Sequence, residues 1–346
     1  MQHEIKKSEM LLDEKGDLRE PGYAKNLLPI YDRFQIKAGA LRIKEWDYYL
    51  IANDHFAVAL TISDNSYMGL DSVTFINFDE RWEKTRSFTQ FFTLGKKNLP
   101  ASSQVGDVST KSRKHRISFS HKGNKRILYF SVENFINSLP LSGLIELSDE
   151  PEESMVIATP FETKGHFYYN QKINCMSAKG RVQVGNKEYL FKEEDSFGVL
   201  DWGRGVWTYQ NTWYWGSASG LVGGVPFGFN LGYGFGNTEA ATENMIFYNG
   251  KAHKISEVTF LIPMKPDRST PKENYLKPWK FTSDDKRFEM YFKPILDRKA
   301  FMTFFGLKSD QHQVFGRFSG KAVLDDGTVI EINNFIGFAE KVSNKW

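Results

Sequence analysis

Apolar and polar residues alternate with a period of two along most of the chain, a pattern typical of β-strands that bury one face. The runs at 42–51 and 55–62 have this pattern and flank the turn pair Asn53-Asp54, so they are predicted to form a hairpin. Turn residues of the same kind recur at Gly185-Asn186 and Asn249-Gly250. Further strands are predicted at 73–78, 116–120, 127–132, 156–159, 166–174, 180–184, 188–191, 212–219, 226–233, 243–248, 286–292, 300–305, 313–324 and 329–339.

Helical patterns are weak in this sequence. Segment 24–29 is ended by Pro29, and segment 134–139 is long enough for a single turn only. Short strands at regular spacing, with turn residues between them, indicate a sandwich or a barrel. The fold class is therefore predicted to be all-β.

The chain is long enough to form more than one hydrophobic core. With 346 residues, two domains are the expected number. The acidic, proline-containing segment 148–154 has the composition of an exposed turn, and 156–159 is predicted to close the first half. We place the boundary near residue 162, with an N-terminal β-barrel or sandwich domain at 1–162 and a C-terminal β-barrel domain at 163–346.

Charge and composition exclude several classes of function. Lys and Arg number 45 and Asp and Glu number 42, which gives a formal charge of +3 without a basic stripe, so nucleic acid is not an expected partner. The single cysteine, Cys175, excludes an intramolecular disulfide, and the seven scattered histidines form no metal-binding motif. We expect no metal and no cofactor. The absence of a signal-peptide core and of an 18-residue apolar run predicts no transmembrane segment and a cytoplasmic location.

The most informative segment is 196–238, where Asp201 and Arg204 are the only charged residues. Such an aromatic, uncharged stretch is expected to build a core, a pocket or both. Asp201 and Arg204 are three positions apart around a Gly-Arg-Gly centre, close enough to pair across a tight turn. Two interpretations remain open: an acid beside a cation in an aromatic pocket, or a structural ion pair at a strand bend. The segment contains four of the eight tryptophans, Trp202, Trp207, Trp213 and Trp215.

A second motif lies at 166–176. On a strand, its alternate residues His166, Tyr168, Asn170, Lys172 and Asn174 share one face. A polar face of this kind suits a solvated sheet surface or the wet lining of a ligand cavity. The glycine-rich segment 232–236 lacks the G-x-G-x-x-G spacing of a phosphate-binding loop, so a nucleotide cofactor is not expected.

These motifs resemble the DUF2804 family, for which no activity is established. The resemblance covers nearly the whole chain and is carried by Trp46-Asp47-Tyr48-Tyr49 and by the segments 169–174, 198–207, 211–220 and 237–244. More distantly, the family is similar to the hydroxyneurosporene synthase and AttH-like group. That group consists of two-domain lipocalin-like β proteins and includes cofactor-free enzymes that act on apolar substrates, among them carotenoid hydratases and pericyclases.

The resemblance implies two lipocalin-like barrel or sandwich domains packed together, and a hydrophobic small molecule, such as a lipid or an isoprenoid, as the partner. Our functional hypothesis is a cofactor-independent acid/base site of hydratase or isomerase type. The alternatives are a non-catalytic carrier or sensor of hydrophobic ligands, and an interaction protein whose tryptophans are plain core. The oligomeric state stays open.

The hypothesis assigns a role to each candidate residue. Asp201 is expected to donate or accept a proton, and Arg204 to act as the adjacent cation that tunes it. Trp202, Trp207, Trp213 and Trp215 are expected to stack on the ligand and stabilise developing positive charge, and Asn170, Lys172 and Asn174 to orient its polar end.

Overall fold

The computed structural model describes residues 2–266, 272–304 and 307–345. It divides into two compact units, Met1–Thr208 with Gly236–Ala241, and Tyr209–Phe235 with Thr242–Trp346. Each unit contains one curled antiparallel half-barrel sheet, and helix is limited to short 3-10 turns in the described residues. The predicted all-β, lipocalin-like fold class is confirmed.

The first unit is built on a 13-stranded sheet. Before its second strand come two 3-10 turns, η1 Arg33–Gln35 and η2 Ala40–Arg42. The strands are β1 Gly22–Ala24, β2 Ile43–Ala52, β3 Phe56–Asp64, β4 Met68–Asn77, β5 Trp82–Phe91, β6 Val108–Lys111, β7 His115–Lys122, β8 Lys125–Ile136, β9 Leu139–Ser148, β10 Met155–Pro160, β11 Phe167–Val184, β12 Lys187–Phe191 and β13 Phe197–Val206.

The strand order is β5-β4-β3-β2-β13-β11-β9-β8-β7-β6, with β1 and β10 on one side branch and β12 on the other. The sheet curls until β5 contacts β8, where Arg86 donates a hydrogen bond to the Phe135 carbonyl. The predicted first hairpin is present: Asn53 Oδ1 accepts the backbone N–H groups of His55 and Phe56, and Ala52 pairs with Ala57. This curvature places one face of β2, β11 and β13 around an apolar core.

The second unit has a nine-stranded sheet of order β17-β16-β15-β14-β22-β21-β20-β19-β18. It also curls, and the Phe260 N–H donates to the Tyr233 hydroxyl between β18 and β15. Its core is a phenylalanine cluster that includes Phe229, Phe281 and Phe318. The strands are β14 Gln210–Val222, β15 Val225–Tyr233, β16 Met245–Tyr248, β17 Lys251–Lys254, β18 Val258–Leu261, β19 Trp279–Ser283, β20 Phe288–Phe304, β21 Leu307–Val323 and β22 Val329–Lys345.

Most predicted strands are present, although many are longer than predicted. The turns at Gly185-Asn186 and Asn249-Gly250 both connect paired strands, as expected. Residue 305 of the predicted strand 300–305 lies outside the described residues. The predicted boundary at residue 162 falls in the short connection between β10 and β11, which pair with each other within the first unit. The division into domains at 1–162 and 163–346 remains a prediction.

Candidate functional site

The motif that carries Asp201 and Arg204 is a continuous strand rather than a tight turn. β13 spans Phe197–Val206, is buried along its whole length, and pairs with β2 on one side and β11 on the other. Neither Gly203 nor Gly205 has a positive φ. Because successive side chains of a strand alternate between faces, Asp201 and Arg204 point to opposite faces of the sheet. The predicted pairing of Asp201 with Arg204 is therefore wrong, and each residue has its own partner.

Asp201 is held by two side chains of the neighbouring strand. It is 7 % exposed, and the Lys172 ammonium lies 2.7 Å from its Oδ1. The Asn170 amide nitrogen donates to the same oxygen at 2.6 Å. The register explains the grouping, since Lys172 is directly opposite Asp201 and Asn170 is opposite Gly203. The sequence motif at 166–176 and the motif at 198–207 thus meet at one place.

The face that carries these polar groups is buried rather than solvated. Asn170, Lys172 and Asn174 are all buried, so the solvated-surface interpretation of this strand face is wrong. Past Ile173 the register with β13 shifts through a bulge, in which Cys175 has a φ of 63°. Within the described chain, Asn170 Oδ1 accepts no hydrogen bond. Leaving a buried acceptor unpaired is costly, and this oxygen lies on the amide whose nitrogen contacts Asp201.

An aromatic cluster lies beside these groups on the same face of β13. The Trp46 indole covers Gly203, and a Cβ placed at Gly203 would lie 1.9 Å from its Cζ2 atom. Trp46 stacks on Tyr168 with ring centroids 6.1 Å apart and meets the edge of Trp207 at 5.0 Å. Gly203 therefore provides space for an indole ring rather than a bend.

Arg204 is at the centre of a hydrogen-bond network on the inner face. It is fully buried, forms an ion pair with Asp47 at 3.0 Å, and donates to the carbonyls of Trp46, Gly203 and Pro100. Its guanidinium lies 4.2 Å from the centre of the Trp202 ring. Burial raises the pKa of Asp47, and the Arg204 charge opposes that rise. This arrangement fastens the loop at Pro100 to β2 and β13.

A small cavity adjoins this inner network, lined by Asp47, Tyr49, His121, Arg126 and Trp202 among others. Its volume is about 10 Å³, which is room for about one water molecule. Trp202 itself packs edge-on against Tyr31 and Tyr169 in the core of the first unit. This cavity is too small for an isoprenoid.

The four candidate tryptophans are divided between the two units. Trp202 lies on β13 and Trp207 lies just after it, and both belong to the first unit. Trp213 and Trp215 lie on β14 of the second unit. Trp213 Nε1 donates to Glu340, and Trp215 Nε1 donates to Asn230. The latter two indoles thus satisfy their own polar atoms within the second unit.

Two residues of β2 that were not predicted as site residues also belong here. Trp46 covers Gly203, and Asp47 pairs with Arg204. The available signal was a charged residue inside an otherwise aromatic strand, Trp46-Asp47-Tyr48-Tyr49, because such a charge needs a buried partner.

Two features are absent from the described residues. No group of three or more His, Cys, Asp or Glu side chains there is arranged to hold a metal ion. Among the helices described, none has the length and apolar character needed to cross a bilayer.

Comparison with known proteins gives a family and a fold. The profile of the family described as "Domain of unknown function (DUF2804)" matches residues 2–346. No curated protein shows significant sequence similarity to the chain. Among solved structures, kievitone hydratase from Nectria haematococca superimposes with a TM-score of 0.50 and 9 % identity, covering 98 % of each chain. A candidate AttH protein from Nitrosomonas europaea gives a TM-score of 0.50 and 10 % identity over 87 % of this chain and 92 % of its own. These superpositions support a shared fold.

Proposed function

Because the chain belongs to the DUF2804 family, whose description assigns no activity, we propose a function from the geometry: it binds a hydrophobic small molecule and performs cofactor-independent acid/base chemistry on it at Asp201. The site consists of Asp201, Lys172 and Asn170, with Trp46, Tyr168 and Trp207 as its aromatic wall. Arg204 is a positioning residue in this proposal, because it holds β13 from the opposite face.

The observation that carries the proposal is the unpaired acceptor next to the buried carboxylate. The Asn170 amide is oriented by Asp201, since its nitrogen must face the carboxylate and its oxygen must point elsewhere. That oxygen is buried and accepts no hydrogen bond from the described residues. A hydroxyl group or a water molecule held there would satisfy it and would lie close to Asp201.

The neighbouring aromatic rings suit the apolar part of such a ligand. Trp46 and Tyr168 are stacked, and Trp207 closes the cluster from the side. Indole and phenol faces attract positive charge through the ring quadrupole, so they stabilise a cationic intermediate. The site therefore combines an apolar surface with a few fixed polar groups, as small-molecule sites do.

The contacts of Asp201 support a role as a base. An ammonium and an amide nitrogen both donate to its carboxylate, so Asp201 is bound as a hydrogen-bond acceptor and suits a general base. In the hydration of a double bond, the Lys172 ammonium supplies a proton to one carbon, which leaves the other carbon cationic. Asp201 then takes a proton from water as the water oxygen bonds to the cationic carbon, and proton exchange with solvent resets both groups.

The solved structure of the same fold is consistent with this class of reaction. Kievitone hydratase is named as a hydratase, and its structure covers 98 % of the chain. At 9 % identity the likeness supports the fold, so the reaction is proposed on the residues described above.

The test is incubation of the protein with a total lipid extract, followed by mass spectrometry of bound and released compounds. We expect a hydrophobic compound to be retained and a product that differs from it by the mass of water. Asp201→Asn keeps the size and the hydrogen-bond acceptor but removes the base, so turnover should fall by roughly 10²–10⁴-fold with the ligand still bound. Asp79→Asn, at an exposed carboxylate of the same unit, is the matched control and should turn over normally.

Two outcomes would contradict the proposal. Retention of a ligand with no product for any extract would identify a carrier instead of an enzyme. Equal turnover by the wild type and Asp201→Asn would exclude Asp201 as the base even if the protein is catalytic.

A further inference from the structure

Ser66 connects three loops at one end of the first unit. Ser66 is fully buried and has a φ of 66°. Its hydroxyl donates to the Ile43 carbonyl, next to η2, and accepts from Arg33 of η1. Its carbonyl accepts the N–H of Leu94. The three loops that contain η1, η2 and residues 92–98 are therefore neighbours.

Each of these loops exposes large apolar side chains. Phe34 of η1 is 92 % exposed, Phe92 is 63 % exposed and Leu94 is 42 % exposed. Leu41 of η2 is also exposed. We call these four residues the Ser66 patch. Phe34 is the most exposed of them, and a side chain exposed to this degree makes almost no contact with its own protein.

The backbone of this region adopts a costly conformation. Phe92 and Leu94 have φ values of 55° and 49°, in the left-handed region that bulky residues rarely adopt. Gly95 of the same loop also has a positive φ, and the side chain of Arg33 from η1 packs against it. Residues held in such conformations concentrate at functional sites. Here the strain accompanies the outward presentation of two apolar side chains.

Two exposed lysines lie beside the patch. Lys37 follows η1 and Lys96 follows Leu94, and both are exposed. Of the carboxylates near the patch, Glu45 pairs with Arg33 and Asp32 accepts the backbone N–H of Phe34. Apolar side chains that project from separate loops, with lysines beside them, fit the interface of a bilayer with anionic headgroups.

We propose that the Ser66 patch docks the protein onto an anionic lipid membrane, with Phe34, Phe92 and Leu94 inserted among the acyl chains and Lys37 and Lys96 against the headgroups. The patch is near the aromatic wall of the candidate site, since Arg42 of η2 donates to the Trp207 carbonyl at 2.5 Å. The proposal does not depend on catalysis at Asp201.

The test is flotation of the purified full-length chain with lipid vesicles. We expect it to float with vesicles of phosphatidylcholine containing 30 % phosphatidylglycerol, an anionic fraction of about one third, and to bind pure phosphatidylcholine more weakly. The variant Phe34→Ser/Phe92→Ser/Leu94→Ser should lose roughly tenfold or more in binding to both, because the inserted apolar area is gone. Lys37→Gln/Lys96→Gln should lose about fivefold per lysine, on the anionic vesicles only.

The matched control is Leu144→Ser/Leu190→Ser, which removes two exposed leucines of the same unit on β9 and β12. It should float like the wild type, and unchanged thermal unfolding of all variants excludes misfolding as the cause. Failure of the wild type to float, or equal flotation of the triple variant, would overturn the proposal. A dimer in sedimentation velocity that the triple variant abolishes, without flotation, would assign the patch to a second copy of the chain instead.

Discussion

The indole of Trp46 lies directly over Gly203, in the space that a side chain at position 203 would occupy. A Cβ at this position would lie 1.9, 2.2 and 2.3 Å from three atoms of the ring. Trp46 and Gly203 are cross-strand partners in β2 and β13. The glycine in the centre of the motif is thus required by a residue more than 150 positions earlier, and the pair fixes the aromatic wall beside Asp201.

This relationship predicts the effect of Gly203→Ala. The methyl group must displace the indole, which itself packs on Tyr168 and Trp207, so we expect a loss of about 1–3 kcal/mol in the free energy of unfolding. Urea unfolding measures it. Gly39→Ala is the control, because no atom lies within 4 Å of the added Cβ and φ is not positive. Adding Trp46→Ala to Gly203→Ala should remove the steric part of this loss. If the effects of the two substitutions were instead additive, the packing described would be contradicted.

The ion pair of Lys172 with Asp201 makes a second prediction. Replacing Lys172 by methionine leaves a buried carboxylate without its cation, which we expect to cost about 3–5 kcal/mol. Lys179→Met, seven residues further along β11 at an exposed position, should have little effect. Because Asp201→Asn removes the stranded charge, the double variant should recover part of the loss. A double-mutant cycle by urea unfolding measures the coupling, and additive effects would count against the pair.

A third prediction concerns pH. Burial lowers the pKa of Lys44 to about 7, and its ammonium lies 3.9 Å from the centre of the Tyr67 ring. Between pH 7 and about 9.5 the unfolded lysine keeps its proton whereas the folded one releases it, so the unfolded state binds more protons and stability rises with pH. The slope from this residue approaches about 1.4 kcal/mol per pH unit.

The pH prediction is tested by urea unfolding at several pH values for the wild type and Lys44→Met. The rise should be smaller in Lys44→Met and unchanged in Lys122→Met, at an exposed lysine of β7. Burial also lowers the pKa of Lys254 to about 7. Stability should therefore still rise with pH in both variants. Above about pH 10 the buried tyrosines act in the opposite direction, because burial raises the pKa of Tyr67 to about 12. A flat profile for the wild type would contradict the assignment.

Local patterns predicted the strands, and long-range pairing determined the site. The alternation of 166–174 correctly placed Asn170, Lys172 and Asn174 on one face, because a strand dictates this directly. It did not reveal burial of that face, since polar residues are on average exposed. The spacing of Asp201 and Arg204 suggested a pair because the Gly-Arg-Gly centre resembled a bend. Their true partners, Lys172 and Asp47, lie on adjacent strands, and sheet order is not encoded in any single segment.

The separation of Asp201 from Arg204 leads to the last prediction, made for Arg204→Lys. Arg204 donates to three carbonyls and to Asp47, and a lysine keeps the charge but cannot reach these acceptors together. We expect a loss of roughly 3–5 kcal/mol in the free energy of unfolding and faster amide exchange in the loop at Pro100, whose carbonyl loses its donor. Arg181→Lys, at an exposed arginine of β11, should change neither quantity.

Asp201→Asn should leave amide exchange in the loop at Pro100 unchanged and should reduce turnover. If Arg204→Lys folded with wild-type stability and lost turnover alone, Arg204 would belong to the chemistry and not to the scaffold.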